Sequence, residues 1–332
     1  MKNLTYDVYG IGNALVDMEF RVMPEFLIKN KIDKGHMTLV PLEKQDELLM
    51  MLNGSFTKKA SGGSAANTLV AVSQLGGKSF YSCKIASDET GNFFHKDLEL
   101  CGVQSNCVEE AHHGVTGKCL VMVTPDAERT MTTYLGISGD FGVKELSYDH
   151  LISSKYYYIE GYLATSETAM EAALLGKKWA IENNVKTSLT LSDPAIVEHF
   201  YAQLHKLVGV DGIDLLFCNE KEAFKFCKTD SIEVAKEELK KYAKTFVITL
   251  GARGALVYDG TDFVEVKGHE TTAIDSNGAG DMFAGAFLYG ITNGYSYEAS
   301  AKMANRLAAQ VVSQFGPRLV CEEPKKILAE LL

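Results

Sequence analysis

Asp275-Ser276-Asn277-Gly278-Ala279-Gly280-Asp281 runs straight into Met282-Phe283-Ala284-Gly285-Ala286-Phe287-Leu288, so small residues open an apolar helix. Gly278, Ala279 and Gly280 then fall on its first turn. Backbone N–H groups without intrahelical partners and the positive end of the helix dipole make such a turn an anion site. Glycine there admits close approach and turn conformations that a side chain would block. Asp281, one residue further, points toward whatever the anion site holds. The same residues also describe an ordinary helix start with Asp281 stabilising the dipole, and the stretch alone does not choose between the two.

Outward from this segment, short apolar runs alternate with helix-length amphipathic stretches. Tyr6–Gly12, Lys78–Ile85, Tyr156–Ile159, Leu215–Cys218 and Phe246–Leu250 read as strands, and Ala65–Leu75, Ser166–Glu182, Ile232–Lys244 and Ala279–Thr292 as crossover helices. This alternation predicts an α/β chain with a mostly parallel central sheet covered by helices on both faces. Two stretches break the rhythm. Met18–Val40 carries strand-like patches with no helix of its own, and Gly117–Leu135 reads as a hairpin turning at Pro125-Asp126-Ala127-Glu128. Residues 14–41 and 115–135 are therefore expected to form a small β lid inserted into one domain spanning 1–332.

Composition narrows the function classes. The 332 residues are 46% hydrophobic and 23% charged, ordinary globular usage, and long enough to bury a core without disulfides or a structural metal. A net charge of −10, without a long basic run, disfavours nucleic acid and anionic membrane as partners. The start lacks the pattern of a secretory signal, and no apolar run approaches the roughly 18 residues of a membrane helix. Seven scattered cysteines without a CxxC pair read as buried thiols of a reducing compartment, so the expected location is cytoplasmic.

Four further motifs carry chemistry, each with a plainer reading beside it. Ser61-Gly62-Gly63-Ser64-Ala65-Ala66-Asn67 opens a helix with a glycine pair that a polar ligand can approach, with Asn67 one turn in; it also fits a loop pair and a surface amide. Gly10-Ile11-Gly12-Asn13-Ala14-Leu15-Val16-Asp17 misses the dinucleotide fingerprint because Leu15 stands at the third glycine and no helix follows, which disfavours a dehydrogenase. Asn219-Glu220-Lys221-Glu222 puts an amide and a carboxylate at the carboxyl end of a strand, where open α/β sheets bind ligands, or caps a helix. Thr249-Leu250-Gly251-Ala252-Arg253-Gly254-Ala255 offers glycines to a flat ligand, or makes a hairpin turn. Leu75-Gly76-Gly77-Lys78-Ser79 has the outline of a Walker A ending, but Val72 replaces its first glycine and a strand follows, so that reading is rejected. No HExxH or GxSxG occurs, which removes the usual markers of a zinc protease and a serine hydrolase.

Taken in order, Gly12-Asn13…Asp17, Gly62-Gly63…Asn67, Asp88…Gly91, Asn219…Glu222, Thr249-Leu250-Gly251…Gly254 and Asp275…Gly278-Ala279-Gly280-Asp281 resemble the ribokinase-like (PfkB-type) family of carbohydrate and nucleoside kinases. Within it, Gly12–Asp17, Arg129–Gly136 and Glu160-Gly161-Tyr162-Leu163 look most like the adenosine kinases. The resemblance implies a three-layer α/β/α sandwich with a β lid, and phosphoryl transfer from ATP to the 5′-hydroxyl of a nucleoside, adenosine to AMP. It implies Asp281 as general base and the amides of Gly278, Ala279 and Gly280 as the cradle of the transferred group. Asn13, Asp17, Gly62, Gly63 and Asn67 would hold the acceptor, Tyr162 would stack on its base, and Arg129 would pair with phosphate oxygens on lid closure. Asn219, Thr249, Gly251 and Gly254 would line the ATP site, and Glu222 with Asn219 would position Mg²⁺, through water. A monovalent cation such as K⁺ is a further requirement the family leaves open, and the chain is expected as a monomer or homodimer. The alternatives are a sugar kinase of the same family and a nucleoside-binding protein without catalysis.

Overall fold

Strands rich in tyrosine, valine, isoleucine and phenylalanine bury most of their residues at the middle of the molecule, as expected of strands covered on both faces. The computed structural model describes residues 4–35, 37–53, 56–108, 112–126, 128–320 and 322–331; Ala127 of the expected hairpin turn and Cys321 lie outside the described residues. In chain order the strands are β1 (Tyr6–Ile11), β2 (Leu15–Arg21), β3 (Met37–Leu39), β4 (Lys58–Gly62), β5 (Ser79–Ser82), β6 (Gln104–Ser105) and β7 (Thr116–Val123). They continue as β8 (Arg129–Gly136), β9 (Ser154–Glu160), β10 (Lys186–Thr190), β11 (Ile213–Asn219), β12 (Ala243–Thr249), β13 (Gly254–Tyr258) and β14 (Phe263–Lys267).

Nine of these form the central sheet, in the order β14-β13-β12-β11-β10-β9-β1-β5-β6. It is parallel from β12 to β6, and β13 and β14 add an antiparallel edge. Alternation along the strands divides the core in two. Val8, Tyr81, Tyr158, Phe217 and Val247 pack with helices Ser64–Gln74, Ala279–Thr292 and Tyr297–Val312. Tyr9, Ile11, Tyr157, Ile159, Leu216 and Ile248 face the other way, onto helices Glu167–Glu182, Tyr201–Val208 and Glu220–Cys227. The result is the three-layer α/β/α sandwich. Chain order reverses between β1 and β9, which places a crevice outside their carboxyl ends.

The remaining five strands make a second sheet, β3-β8-β7-β2-β4. Period-two alternation in β7 sends Leu120 and Met122 outward, onto Phe20, Leu27 and Leu48, and Cys119, Val121 and Val123 inward. Asp88 ties this sheet to the body. Its Oδ1 accepts from Gly91 N at 2.7 Å and Thr116 Oγ1 at 2.6 Å, and its Oδ2 from Thr116 N at 2.9 Å.

Three expectations change. The stretch 18–40 does contain a helix, Pro24–Lys29, whose Pro24 has the fixed φ suited to a first helical turn; with one fully buried residue, Leu27, it is too short to show periodicity. The helix expected over Ile232–Lys244 ends at Leu239, because Ala243 and Lys244 already belong to β12, in parallel register with Ile213. The second sheet also takes in β4, a strand absent from the sequence reading. The six described cysteines are free thiols, but only Cys83, Cys107, Cys119 and Cys218 are buried; Cys101 and Cys227 are half-buried. Among the described residues no helix is long and apolar enough to cross a membrane.

Candidate active site

The carboxyl ends of β9, β11 and β12 and the turn after β1 open on one cavity of about 500 Å³. The inner face of the second sheet roofs it with Leu15, Asp17, Cys119, Arg129, Met131 and Thr133, and the start of helix Ala279–Thr292 forms its floor.

That helix start is built for close approach. Gly278 is the N-cap at φ 72°, and a Cβ there would stand 2.2 Å from the Pro317 carbonyl oxygen, so only glycine fits. Asp275, 1% exposed, anchors the loop by accepting from Asn277 N at 2.9 Å and Gly316 N at 2.7 Å. Asp281 faces the cavity, its Oδ1 taking a hydrogen bond from Ser64 Oγ at 2.6 Å and its Oδ2 one from Asn67 Nδ2 at 3.0 Å. Burial raises its pKa from 3.8 to about 6, while those two donors and the Arg318 charge pull it down. A carboxylate so tuned is ionised at neutral pH yet basic enough to accept a proton.

Around it stand further carboxyls. Burial pushes Asp17 and Glu160 each to about 7. Glu160 accepts from Ala65 N at 2.8 Å and from both nitrogens of Asn13 at 3.3 Å. Gly62 explains itself through Asp17, since a Cβ there would lie 2.2 Å from the Asp17 carboxyl carbon. The guanidinium of Arg129 bridges Glu19 and Asp275, and its Nε and Nη1 have no partner among the described residues.

On the far wall, Asn219 and Glu222 form a reciprocal capping box. Glu222 N donates to Asn219 Oδ1 at 2.9 Å and Asn219 N to Glu222 Oε2 at 2.9 Å. Burial, then the nearby Asp193 and Asp281, raise Glu222 to about 8. Thr249 also lines the cavity.

Residues 32–325 match the family described as pfkB family carbohydrate kinase. The chain belongs to that family. Similar solved structures include a probable sugar kinase from Rhizobium etli, 34% identical with a TM-score of 0.92 over 100% of both chains. The adenosine kinase from Sinorhizobium meliloti is likewise 34% identical, with a TM-score of 0.91 over 98% of this chain and 99% of that one. The adenosine kinase of Saccharomyces cerevisiae is 29% identical over 96% of this chain and 98% of its own length. This pfkB-family kinase is an ATP-dependent phosphotransferase.

Of the residues singled out in the kinase sequence, Asn13, Asp17, Gly63, Asn67, Arg129, Tyr162, Asn219, Glu222, Thr249, Gly278, Gly280 and Asp281 meet at the one cavity. Gly62, Gly251, Gly254 and Ala279 do not line it. Gly254 answers to the β12–β13 hairpin instead: at φ 100°, a Cβ would stand 2.0 Å from the Val266 carbonyl oxygen. Reading the sequence missed Ser64, Glu160, Asp193 and Arg318. Glu160 carried a signal, a lone carboxylate closing the apolar run Tyr156-Tyr157-Tyr158-Ile159.

Proposed function

We propose that this kinase transfers the γ-phosphoryl group of ATP to the 5′-hydroxyl of a nucleoside, adenosine to AMP. One observation carries the reading: Asp281, at the amino end of helix Ala279–Thr292, shares a single cavity with Asp17, Asn67 and Tyr162. Relatives named adenosine kinases match this chain nearly end to end. In this reading Asp17 and Asn67 grip the ribose hydroxyls, an ionised Asp17 accepting two hydrogen bonds from a vicinal diol. Tyr162 stacks on the purine. Asp281 accepts the 5′-hydroxyl proton as that oxygen attacks, and the amides of Gly278, Ala279 and Gly280 hold the charge on the moving phosphoryl group. Asn219 and Thr249 border the nucleotide, and Arg129 turns from Asp275 to phosphate oxygens when the lid closes.

The residues present fit Mg²⁺ held through water. The charges of Asp193 and Asp281 raise Glu222's cost of ionisation, negative charge that a hard cation relieves through water, since among the described residues no three acidic, histidine or cysteine side chains group closely enough to hold an ion directly. Both Glu222 oxygens are engaged by Asn219, so water-mediated contact leaves the helix cap intact. When bound, the ion supplies positive charge to the phosphate oxygens. Reducing conditions suit the buried cysteines, and the cytoplasm is the proposed location.

A sugar kinase is the second reading, supported by the likeness to the Rhizobium etli protein. The roof argues against it: Leu15, Met37, Leu39, Met131 and Leu135 offer an apolar slot that a flat base fills and a free sugar does not. The test is ADP release from Mg²⁺-ATP with adenosine, inosine, guanosine, ribose and fructose in separate reactions. The largest kcat/KM is expected with adenosine. Turnover with free sugars alone would establish the second reading, and silence with every acceptor would refute both acceptor assignments.

A further inference from the structure

An asparagine amide can present either its oxygen or its nitrogen to a neighbour, and only the surrounding hydrogen bonds decide which. For Asn67 that decision is made by Arg318, which follows the Gly316-Pro317 segment walling the anion loop. A guanidinium has donors and no acceptor, so where Arg318 Nε donates to Asn67 Oδ1 at 2.7 Å the amide oxygen is fixed on that side. Its nitrogen is thereby turned to Asp281, to which it donates at 3.0 Å. Arg318 is itself immobilised. It is 6% exposed, and its Nη1 donates to Ser61 Oγ at 2.8 Å and Asp97 Oδ2 at 3.3 Å. Asp97 Oδ2 is held in turn by Ser61 N and Oγ, both at 2.7 Å.

The charges around Asp281 make this relay matter. Ser64 and Asn67 face it from helix Ser64–Gln74, Asp17 from β2, Tyr158 and Glu160 from β9, Tyr162 from the turn beyond, and Glu222 from helix Glu220–Cys227. All of the ionisable members of that set are acidic. Among the described residues, Arg318 is the cation whose field lowers the pKa of Asp281.

We propose that Arg318 is a positioning residue for phosphoryl transfer: it fixes the Asn67 amide as a donor so that Asp281 stands as an ionised proton acceptor at neutral pH. The proposal rests on the reading of Asp281 as general base. Without Arg318 the Asn67 oxygen is free to turn toward Asp281, and two facing acceptors favour the protonated acid. The base then becomes available only at higher pH.

The experiment compares pH profiles of kcat, at saturating adenosine and Mg²⁺-ATP so that Asp17 is already engaged by the acceptor, in the full chain carrying R318M, R318K or no substitution. Loss of one charge-assisted hydrogen bond and of a nearby cation predicts an acid limb moved up by about one pH unit in R318M, with the rate recovering at high pH. R318K, which restores charge and a donor, brings the limb at least halfway back. In an N67A background R318M moves the limb far less, because the relay is already broken. A folded R318M with an unmoved limb, or a rate lowered equally at every pH, overturns the proposal. If R318M does not fold, R318Q takes its place, and equal limbs in R318Q and R318K overturn it. Carboxyl ¹³C NMR, with Asp281 assigned by its absence from D281N, follows the titration without turnover. An inactive wild type whose Asp281 titration still moves in the variant refutes the phosphoryl-transfer reading and leaves the relay standing; an active wild type whose limb and titration stay fixed refutes the relay.

Discussion

Replacing Asp281 by asparagine separates chemistry from folding, and the surroundings of the carboxylate set the folding cost. The carboxylate sits where burial raises its pKa from 3.8 to about 6. That shift of roughly two units corresponds to about 3 kcal/mol of native-state cost at neutral pH, which the neutral amide removes. Against this, the asparagine keeps an oxygen for the Ser64 hydroxyl but turns an N–H₂ toward Asn67 Nδ2. Losing that hydrogen bond costs about 1–3 kcal/mol. The two terms nearly cancel, so D281N is expected to fold with its melting temperature within a few degrees of wild type. Turnover is another matter. Removing a positioned general base lowers kcat by roughly two to four orders of magnitude, about 3–5 kcal/mol of barrier. Acceptor affinity stays within a few-fold, because Asp17 is untouched and Arg318 still holds the Asn67 amide oxygen in place. Initial rates of ADP release at saturating adenosine give kcat, calorimetry gives acceptor affinity, and thermal unfolding gives stability. A folded D281N with kcat within about fivefold of wild type would refute the assignment of the base.

Asp17→Ala should weaken adenosine binding by roughly 10- to 100-fold with kcat at saturation little changed; an unchanged calorimetric affinity contradicts the ribose-grip role. Two glycine substitutions should part company. G278A places a methyl 2.2 Å from the Pro317 carbonyl in a left-handed conformation, and should cost at least about 2 kcal/mol in denaturant unfolding. A Cβ on Gly280 meets nothing within 4 Å, so G280A should keep wild-type stability while its methyl enters the cavity and lowers kcat; a destabilised G280A contradicts the geometry. Stability should also depend on pH in an unusual direction. Asp17 and Glu160 titrate at about 7, Glu222 at about 8 and Asp281 at about 6, all above their ordinary values of 3.8 or 4.5. These four carboxyls bind more protons in the folded than in the unfolded chain between about pH 4 and 8, and below about pH 7.5 they outweigh Cys107, whose thiol is lowered to about 6 and binds fewer. The native-state cost is fully present above about 8 and fades as pH falls, so the melting temperature should rise from about pH 7.5 to pH 5.5, and a fall over that interval would contradict these titrations.

Local composition decides what a sequence reveals here. Helix Ala279–Thr292 was legible because its small opening residues and apolar continuation both lie within one short segment. Strand β4, Lys-Lys-Ala-Ser-Gly, was not, because it has no apolar run and owes its existence to pairing with β2. Helix Ile232–Leu239 was read too long because Ala243 extends its periodicity, while the hydrogen bonds of Ala243 go to the sheet. Glycines mislead in a particular way: Gly62 and Gly254 are explained by what lies against them, the Asp17 carboxyl and the Val266 carbonyl, rather than by a ligand. At Glu222 the cap reading and the site reading are both true, since the capping box itself borders the cavity. Arg318 left no signal at all. It reaches Asn67 across 251 positions of the chain, and nothing near either residue announces the contact.

The most direct test of the account is the identity of the phosphorylated product. Adenosine or 5′-deoxyadenosine is incubated with Mg²⁺-ATP and the chain, and products are read by ³¹P NMR and mass spectrometry. The account predicts AMP formed mole for mole with ADP from adenosine, and neither from 5′-deoxyadenosine. A phosphate on any other hydroxyl of adenosine, or ADP released equally from the deoxy compound, would contradict it.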